Sequence, residues 1–466
     1  MMQMGRRMVA APARPTRIIQ FGEGNFLRGF LGPQVQQADD AGLFDGGIAI
    51  VQPRPGGHVD ALERQDRLYT VVTEGLGVRE HRIIDVVTAT VDPYRAWDDF
   101  LALADDPHTG TIVSNTTEAG IAIDPRDTAA TVPPRGFPAK LAHLMARRFA
   151  RGLPGFLVLP CELIDDNAAQ LKRCVLSCVA DFGLGDDLAG WIESDNLFCS
   201  TLVDRIVSGF PAERAEALWV ELGYRDDLIV VAEPALSWVV QGPPRVRDAL
   251  PLAITLTDDL APYRRRKVYL LNGPHTTMAQ LGRLAGLCTV AEVMGDPVFR
   301  GFIQAQMRDE LAPAVGLPAA DLGRFCAEVV ERFDNPWLHH SLDAIAANSV
   351  SKFAARLVPV IVACAQAGRP LPRRVVLALA GLLAIYGDRS VCDAGEKRDK
   401  VHPIDTDDVL ETFRRADRSD FVPSVLAQTS LWGRDLTAVP GLVGLVDDDL
   451  ALLASRGVRA AVEDLS

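Results

Sequence analysis

Three side chains in one segment of the chain are of types that can take part in acid–base chemistry. They are Lys267, Asn272 and His275, in the segment RRRKVYLLNGPHTTMAQLG. A lysine of lowered pKa can act as a general base or acid, and an amide can donate to an oxygen that becomes negatively charged. The segment is therefore a candidate catalytic site, and the alternative is that these are surface and capping residues, the more frequent role of single lysine, asparagine and histidine residues.

The secondary structure of this segment decides whether the three side chains can act together. On an α-helix, Asn272 and His275 point within about 60° of each other and Lys267 lies about 80° or more away, so all three can border one pocket. On a strand, Lys267 and Asn272 would be about 17 Å apart. Pro274 has no N–H to donate to residue 270, so a helix here must kink or restart.

A second candidate site follows the first β-type run of the chain, in IIQFGEGNFLRGF. Gly22 and Gly24 come between this run and a helical pattern, which lets the backbone approach a pyrophosphate at a helix N-terminus. The third glycine of the usual GxGxxG pattern falls on Leu27, and the next glycine is Gly29. The turn predicts a dinucleotide site, and the alternative is a purely structural strand-to-helix turn. The residues predicted to bind the cofactor here are Phe21, Gly22, Glu23, Gly24, Asn25 and Phe26.

The ends of two further β-type runs supply the rest of the predicted cofactor site. The run GIAIV leads into Arg54 without the acidic residue that usually binds the ribose hydroxyls of NAD. Arg54 either holds a 2′-phosphate, which would favour NADP, or is a solvated loop residue. The run TIVSN leads into Ser114, Asn115 and Thr116, which would lie at the carboxyl edge of the sheet, where ligands bind. The alternative for these three residues is a capped loop.

The order of the elements predicts a mixed α/β architecture. In the first half of the chain, short β-type runs alternate with helical patterns, as in a parallel sheet covered by helices. From about Leu260 the β-type runs stop and long amphipathic segments follow. We therefore predict a dinucleotide-binding, Rossmann-type domain over residues 1–260 and a mainly α-helical substrate and catalytic domain over residues 261–466. The predicted strands are 17–21, 47–51, 111–115, 156–159 and 228–232.

The composition excludes several classes of protein. The 466 residues carry 48 Lys+Arg against 61 Asp+Glu, and this net charge of −13 offers no basic excess for nucleic acid or anionic lipid. The N-terminus lacks the apolar run of a secretory signal, and no uninterrupted apolar run is long enough to cross a bilayer. The eight scattered cysteines indicate reduced thiols rather than a zinc site. We expect a cytoplasmic protein with no nucleic-acid, membrane or metal partner.

Motifs spread over nearly the whole chain resemble the mannitol dehydrogenase family of long-chain, polyol-type dehydrogenases. They run from IIQFGEGNFLRGF through SNTTEAGI, PCELID, FCSTLVDRIV and KVYLLNGPHT to DLTAVPGLV. The KxxxxNxxH pattern is the most specific of them for catalysis, and it is intact as Lys267, Asn272 and His275. The resemblance implies a Rossmann-type N-terminal domain, a mainly α-helical C-terminal domain, NAD as the cofactor and no metal.

The resemblance also implies a role for each matching residue. Lys267 would be the general base in oxidation and the acid in reduction, Asn272 a donor to the substrate oxygen, and His275 the residue that orients the substrate. For this work the pKa of the lysine must fall from about 10.4 toward about 7 or 8. The family's substrate-side aspartate and lysine match Asp204, in VDRI, and Lys352, in SVSK.

Two departures from the polyol-type pattern concern the substrate. The asparagine of the family's CDN sequence is missing from the matching stretch, CEL, so Glu162 or Asn167 would have to replace it. The arginine that precedes the family's lysine by eight residues is Ala344 here. Both changes favour a sugar acid over a plain hexitol. The resemblance is closer to the members of the family that act on sugar acids, and it implies NAD(H)-dependent interconversion of tagaturonate and altronate in hexuronate metabolism.

Two other functions stay open at this stage. One is a polyol dehydrogenase that acts on mannitol or arabinitol, and the other is a nucleotide-binding sensor without turnover. The intact Lys267, Asn272 and His275 disfavour the sensor, because a binding protein has no use for a base at the position of hydride transfer. The sequence does not determine the oligomeric state.

Overall fold

The fold is described by a computed structural model that covers residues 1–9, 12–75, 77–116, 120–335, 340–387 and 401–466. The chain divides into two compact units, Met1–Leu260 and Ala261–Ser466. Within the described residues, all strands lie in the first unit, and the second unit is built of helices. The predicted α/β class, with a Rossmann-type N-terminal part and a mainly α-helical C-terminal part, is confirmed.

The first unit contains fifteen strands and eight α-helices among its described residues. The strands are β1 (Met2–Gln3), β2 (Thr16–Phe21), β3 (Gly47–Val51), β4 (Tyr69–Gly75), β5 (Val78–Ile84), β6 (Val87–Val91), β7 (Thr111–Ser114), β8 (Leu157–Pro160), β9 (Leu197–Phe198), β10 (Ser200–Asp204), β11 (Val207–Gly209), β12 (Tyr224–Arg225), β13 (Val230–Ala232), β14 (Ser237–Gln241) and β15 (Ile254–Thr257). The helices are α1 (Asn25–Asp40), α2 (Val59–Arg64), α3 (Trp97–Ala102), α4 (Phe137–Ala150), α5 (Asn167–Asp181), α6 (Asp186–Ser194), α7 (Ala215–Leu222) and α8 (Arg245–Ala249).

A six-stranded parallel sheet forms the centre of the first unit. Its strand order is β6-β3-β2-β7-β8-β9, and all neighbouring strands run parallel. The chain enters at β2, continues through β3 to β6 at one edge, and then fills the other side with β7, β8 and β9. This is the doubly wound order of dinucleotide-binding folds, in which ligands bind where the strand order reverses, here between β2 and β7.

The central strands are apolar because helices cover both faces of the sheet. β3, β7 and β8 are buried along their whole length. Successive residues of β2 point to opposite faces, so Ile18 and Ile19 enter two separate hydrophobic clusters. Such continuous apolar runs explain why four of the five predicted strands belong to this sheet.

The fifth predicted strand, 228–232, lies in a different sheet. Its residues Val230–Ala232 form β13, which pairs in parallel with β4 and antiparallel with β11. These strands and β5 make a mixed four-stranded sheet of order β11-β13-β4-β5. An apolar run reveals burial but not its pairing partner, so the sequence could not place this strand. The remaining strands form the sheet β10-β14-β15 and the pair β1-β12.

The second unit is an assembly of α-helices with two π-helical turns. The π-helical turns are Val268–Asn272, after the first of these helices, and Gln306–Leu311, after the fourth. The helices are α9 (Ala261–Lys267), α10 (Gly273–Leu284), α11 (Val290–Gly295), α12 (Pro297–Ala305), α13 (Ala319–Phe333), α14 (Leu342–Ala346), α15 (Ser349–Arg356), α16 (Val358–Gln366), α17 (Arg373–Tyr386), α18 (Asp407–Arg415), α19 (Phe421–Leu426), α20 (Thr429–Trp432) and α21 (Leu442–Glu463).

Helix α17 forms the centre of this unit. Every residue from Val375 to Tyr386 is buried, as expected for a helix that is apolar on all sides. Helices α10 and α21 pack directly on it. The stretch Ser349–Gln366 is long and apolar enough to cross a membrane by length and composition, but half of it is buried inside the unit, and buried core helices pass the same test.

Helix α1, which follows the glycine turn, packs closely on the four-stranded sheet. A Cβ atom at Gly29 would lie 2.8 Å from Val207 Cγ1 and 2.9 Å from Val230 Cγ1. Gly29 therefore provides the close helix–strand contact that the third glycine provides in the usual GxGxxG pattern. Leu27 occupies the position of the third glycine in that pattern, so the close contact is made two residues later and is not lost.

This contact gives a prediction about stability. Gly29→Ala should lower the free energy of unfolding by about 1–3 kcal/mol, because the added methyl group overpacks the contact with Val207 and Val230. Urea denaturation measures the change. Gly190→Ala is the matched control, since an added Cβ at this exposed position inside α6 meets no atom within 4 Å. Alanine there should raise stability by up to about 1 kcal/mol, and equal effects of the two substitutions would contradict the packing argument.

Candidate active site

Lys267, Asn272 and His275 lie on one helical segment of the second unit. Lys267 is the last residue of α9, Asn272 ends the π-helical turn, and His275 lies in the first turn of α10. In the π-helical turn the N–H of Gly273 donates to the carbonyl of Val268, five residues earlier. Because this wider turn places residues five apart on neighbouring turns, Lys267 and Asn272 diverge less than they would on a regular α-helix.

The π-helical turn has a local cause in Pro274. Proline has no N–H for the carbonyl of Leu270, and its ring would clash with that carbonyl in a regular α-helix. The backbone widens before Pro274, and α10 begins with Pro274 in its first turn, where a missing donor costs little. The restart expected from the sequence is present, whereas the π-helical turn before it was not predicted.

His275 lies in a crowded and positively charged environment. Its ring centroid is 4.6 Å from that of Phe333 and 5.6 Å from that of His340. Burial, followed by the positive charges of His340, Arg356 and Arg332, lowers the pKa of His275 well below its usual value. His275 is therefore neutral near pH 7, and its buried Nε2 atom has no hydrogen-bond partner among the described residues. A neutral imidazole with a free ring nitrogen is suited to bind a substrate hydroxyl.

Two cations of helix α15 belong to the same part of the second unit. Arg356 Nη1 donates to Thr276 Oγ1 at 3.0 Å and lies 3.5 Å from the carbonyl oxygen of Asn272. Lys352, one turn earlier on α15, donates to the carbonyl of Ile345 at 2.9 Å. The sequence pointed to Lys352 only. The i,i+4 spacing of Lys352 and Arg356 on an amphipathic helix was the signal that could have identified Arg356.

The glycine turn of the first unit has the shape expected of a pyrophosphate site. Gly22 has a φ of 116°, and a Cβ atom there would lie 2.8 Å from the carbonyl oxygen of Asn115, so only glycine fits. Gly24 is the N-cap residue of α1, and no atom lies within 4 Å of an added Cβ. The backbone at Gly24 is thus open to an anion at the N-terminus of a 16-residue helix.

The aromatic residues beside the turn support it from within the core. Phe21 is fully buried, and its ring packs on those of Phe137, at 4.8 Å, and Phe100, at 5.9 Å. Phe26 stacks on Phe30, the next turn of α1, with ring centroids 5.0 Å apart. The side chain of Phe21 therefore has no face left for a cofactor, and only its backbone borders the site.

A buried arginine that the sequence did not single out holds the turn in place. Arg28 donates to the carbonyl of Glu23 at 3.2 Å, to Asn25 Oδ1 at 2.6 Å and to the carbonyl of Leu228 at 2.6 Å. Its guanidinium also lies 5.4 Å from the centroid of the Tyr69 ring. Arg28 therefore fixes the predicted cofactor residues Glu23 and Asn25 relative to the four-stranded sheet.

An acidic side chain from another segment contacts the loop after β3. Glu23 Oε1 accepts a hydrogen bond from the backbone N–H of His58 at 3.3 Å, so its carboxylate reaches this loop from the glycine turn. Arg54 is exposed in the same loop and lines two neighbouring cavities of about 450 and 470 Å³, together with Arg126 and Arg135. The loop after β3 has no acidic residue at the end of its strand, and the carboxylate of Glu23 contacts this loop instead.

A buried lysine supports this region, and nothing in the sequence distinguished it from a solvated lysine. Lys140, on α4, has no exposed surface, and its Nζ atom donates to Tyr94 Oη at 2.8 Å, to the carbonyl of Arg135 at 2.8 Å and to that of Pro53 at 3.2 Å. Burial lowers its pKa to about 8. Lys140 connects the two chain segments that carry Arg54 and Arg135.

Glu162 shapes the loop at the carboxyl end of β7. Its buried carboxylate accepts hydrogen bonds from Ser114 Oγ at 3.0 Å, from the N–H of Thr116 at 2.9 Å and from Thr116 Oγ1 at 3.0 Å. Asn115 Nδ2 donates to the carbonyl of Cys161 at 2.8 Å. Burial raises the pKa of Glu162. Glu162 is therefore already hydrogen-bonded to the predicted cofactor loop, which makes it a support for this loop.

Asn167 is likewise occupied by the protein itself. Its amide group donates to the carbonyls of Pro160, Glu162 and Thr201 and accepts from the N–H groups of Thr201 and Ala168. These five bonds use the hydrogen-bonding capacity of an asparagine amide. The residue joins the start of α5 to β8 and β10, and it has no free donor for a substrate.

The predicted substrate residues are divided between the two units. Glu162, Asn167 and Asp204 belong to the first unit, and Asp204 ends β10 opposite Ser237 of β14. Lys352 belongs to the second unit, as do the candidate catalytic residues. Within the part of the chain that the structure describes, no group of three or more His, Cys, Asp or Glu side chains is placed to hold a metal ion.

Two family models match consecutive parts of the chain. The mannitol dehydrogenase Rossmann domain matches residues 16–253, and the mannitol dehydrogenase C-terminal domain matches residues 259–454. Two solved structures share the fold over the full length. Pseudomonas fluorescens mannitol 2-dehydrogenase, in a ternary complex with NAD and D-mannitol, is 24% identical with a TM-score of 0.73, covering 100% of this chain and 99% of the other. D-sorbitol dehydrogenase in substrate-free form is 21% identical with a TM-score of 0.84, covering 99% of this chain and 100% of the other.

Relatives with higher sequence identity to this chain are altronate oxidoreductases. Altronate oxidoreductase of Pectobacterium atrosepticum is 39% identical over 485 residues, which covers 99% of both chains. Altronate oxidoreductase of Shigella flexneri is 37% identical over 489 residues and covers both chains completely. The similarity is spread over both units. The chain belongs to the mannitol dehydrogenase family.

Proposed function

We propose that the protein is an NAD(H)-dependent oxidoreductase that interconverts tagaturonate and altronate. The observation that carries this proposal is the full-length similarity, at 37–39% identity, to altronate oxidoreductases. The polyol dehydrogenase alternative has less support, because the solved structures of mannitol and sorbitol dehydrogenases are only 21–24% identical to this chain. The proposed location is the cytoplasm, and the proposed partner is a small sugar acid.

The first unit has features that fit a dinucleotide. The open backbone of Gly24 at the start of α1 would hold the pyrophosphate, and Ser114, Asn115 and Thr116 would border the far end of the cofactor at the reversal of strand order. Glu23 would accept hydrogen bonds from the ribose hydroxyls in place of the missing acid after β3. When bound, NAD supplies the acceptor for the hydride that leaves the substrate carbon.

The contacts of Glu23 also favour NAD over NADP. A carboxylate in the loop after β3 repels a 2′-phosphate, whereas a free arginine attracts one. Arg54 is exposed in that loop and Glu23 is anchored to it by the N–H of His58. We therefore assign Glu23 to the ribose and leave Arg54 as a solvated residue at the edge of the site.

The second unit carries the groups that handle the proton. Neutral Lys267 would take the proton from the altronate hydroxyl during oxidation and, as the ammonium, return it to the tagaturonate oxygen during reduction. The amide of Asn272 would donate to the same oxygen and stabilise its negative charge. His275, neutral and with a free Nε2 atom, would bind a neighbouring hydroxyl and orient the sugar.

A substrate and cofactor panel tests the proposed function. With NADH, kcat/KM for tagaturonate should exceed that for tagatose, in which a hydroxymethyl group replaces the carboxylate, by at least about 100-fold, because a site built for a charged group rejects the analogue without it. NADPH should be at least about tenfold less efficient than NADH, given the charge of Glu23. Faster turnover of mannitol or arabinitol than of altronate would contradict the proposal. A preference for NADPH would show that Arg54 binds the 2′-phosphate and that the assignment of Glu23 to the ribose is wrong.

The proton-transfer role gives a prediction about Lys267. Lys267→Ala should reduce turnover by about 10²–10⁴-fold in both directions, because positioned acid–base groups contribute that much to rate, and NADH binding measured by fluorescence should change little. Lys267→Arg is the matched control. It retains the positive charge but cannot lose its proton, so it should be as inactive as the alanine variant. Retention of more than about a tenth of wild-type turnover by either variant would show that another group moves the proton.

A further inference from the structure

Helix α15 carries two positive charges on neighbouring turns, and within the described residues neither is in a salt bridge. Lys352 and Arg356 are four residues apart, so their side chains are neighbours on the helix surface. Burial and then the charge of Arg356 lower the pKa of Lys352, as expected of two cations that repel each other. Among the described residues, neither side chain forms a salt bridge with a carboxylate. The charge of Asp405 acts in the opposite direction and raises the pKa of the lysine, although its carboxylate is hydrogen-bonded by the hydroxyl of Tyr386 at 2.8 Å and the N–H of Val350 at 3.3 Å.

The guanidinium of Arg356 is mostly unused by the protein. Its hydrogen bonds within the described part of the chain come from Nη1 alone, to Thr276 Oγ1 at 3.0 Å and, at the longer distance of 3.5 Å, to the carbonyl of Asn272. Burial lowers its pKa to about 10, so it remains charged at neutral pH. Its Nε and Nη2 groups make no hydrogen bond within the described part of the chain and are not among its buried unpaired atoms, so both can donate to an incoming anion.

The position of Arg356 connects this charge to the candidate catalytic residues. Its two contacts are with the residue that follows His275 and with the backbone of Asn272. Its charge is also one of the causes of the lowered pKa of His275. An anion bound to Arg356 would therefore lie beside the group that binds the reacting sugar. A sugar acid carries both a carboxylate and a reacting hydroxyl in one small molecule.

We propose that Arg356, assisted by Lys352, binds the carboxylate of the substrate and sets the preference for sugar acids over neutral sugars. This inference rests on the proposed function and assigns the residue that recognises its substrate class. The planar guanidinium can form a paired, two-point hydrogen bond with a carboxylate, and Lys352 adds a second charge from the preceding turn. The arginine position of polyol-type members is Ala344 here, so the guanidinium comes from a different helix, α15.

Substrate discrimination by an Arg356 variant tests this assignment. Arg356→Met should lower kcat/KM for tagaturonate by about 100-fold or more, mainly through KM, because a charge-assisted pair is lost. The kcat/KM for tagatose should change by less than about threefold, so that the preference for the acid collapses. Arg356→Lys keeps the charge without the two-point geometry and should lose about tenfold on tagaturonate. Altronate binding in the presence of NAD, measured by calorimetry, should weaken in the same order.

Two control variants separate recognition from structure. Arg456→Gln removes an exposed positive charge of α21 that pairs with Asp464, and it should leave both substrates unaffected. Thr276→Val removes the hydrogen bond from Arg356 and leaves the guanidinium in place, so the ratio of acid to neutral activity should persist. Thermal unfolding of Arg356→Met checks that the fold is retained.

The outcomes distinguish this inference from the proposed function. Equal losses on tagaturonate and tagatose in Arg356→Met would overturn the assignment and show that Arg356 only braces the segment around Asn272. If the wild-type protein reduces no tagaturonate, the proposed function fails, and the calorimetric titration then decides the inference separately. Altronate binding that is lost in Arg356→Met but kept in Arg456→Gln supports a carboxylate site. Equal affinity in these two variants, or no binding by the wild-type protein, overturns it.

Discussion

The missing backbone N–H of Pro274 is the constraint around which the candidate catalytic segment is built. Because the carbonyl of Leu270 cannot be paired from position 274, the helix widens into a π-helical turn and restarts at Gly273. A Cβ atom at Gly273 would lie 3.2 Å from Leu357 Cδ2, so this glycine allows the junction between α15 and α16 to pack closely on the turn. Leu357 follows Arg356 directly, and the same contact therefore brings the guanidinium beside Asn272.

The charges of the second unit form a local pattern that differs from the acidic chain as a whole. The protein has a net charge of −13, yet Arg332 and Arg356 act on His275, and Lys352 lies one turn before Arg356 on α15. Burial and this positive field keep His275 neutral, and the α15 cations repel each other without a salt bridge among the described residues. Under the proposed function one anionic substrate resolves both conditions, since its carboxylate offsets the repulsion and its hydroxyl can bind the unpaired nitrogen of His275. Recognition of the substrate carboxylate and orientation of its hydroxyl would thus depend on the same positive charges.

Sequence reasoning succeeded where the signal was local. The strand 47–51 has the predicted bounds, because an apolar run and its flanking turn residues define such an element. Sequence reasoning could not reveal contacts that depend on tertiary partners. Asn167 was predicted at the substrate, but its amide is saturated by backbone groups that come together only in the fold. Arg28 and Lys140 were overlooked for a related reason, since a charged residue in a helical pattern gives no sign that it will be buried.

The central claim is that the proton of the reaction passes through Lys267. The most direct measurement is the pH dependence of kcat for altronate oxidation and for tagaturonate reduction in one buffer series. The account predicts that oxidation rises with pH as Lys267 loses its proton, and that reduction falls over the same pH interval because the ammonium is then the required form. Both pH-dependent limbs should be absent from Lys267→Ala. Profiles of the same sign in the two directions, or limbs that persist in Lys267→Ala, would contradict the account.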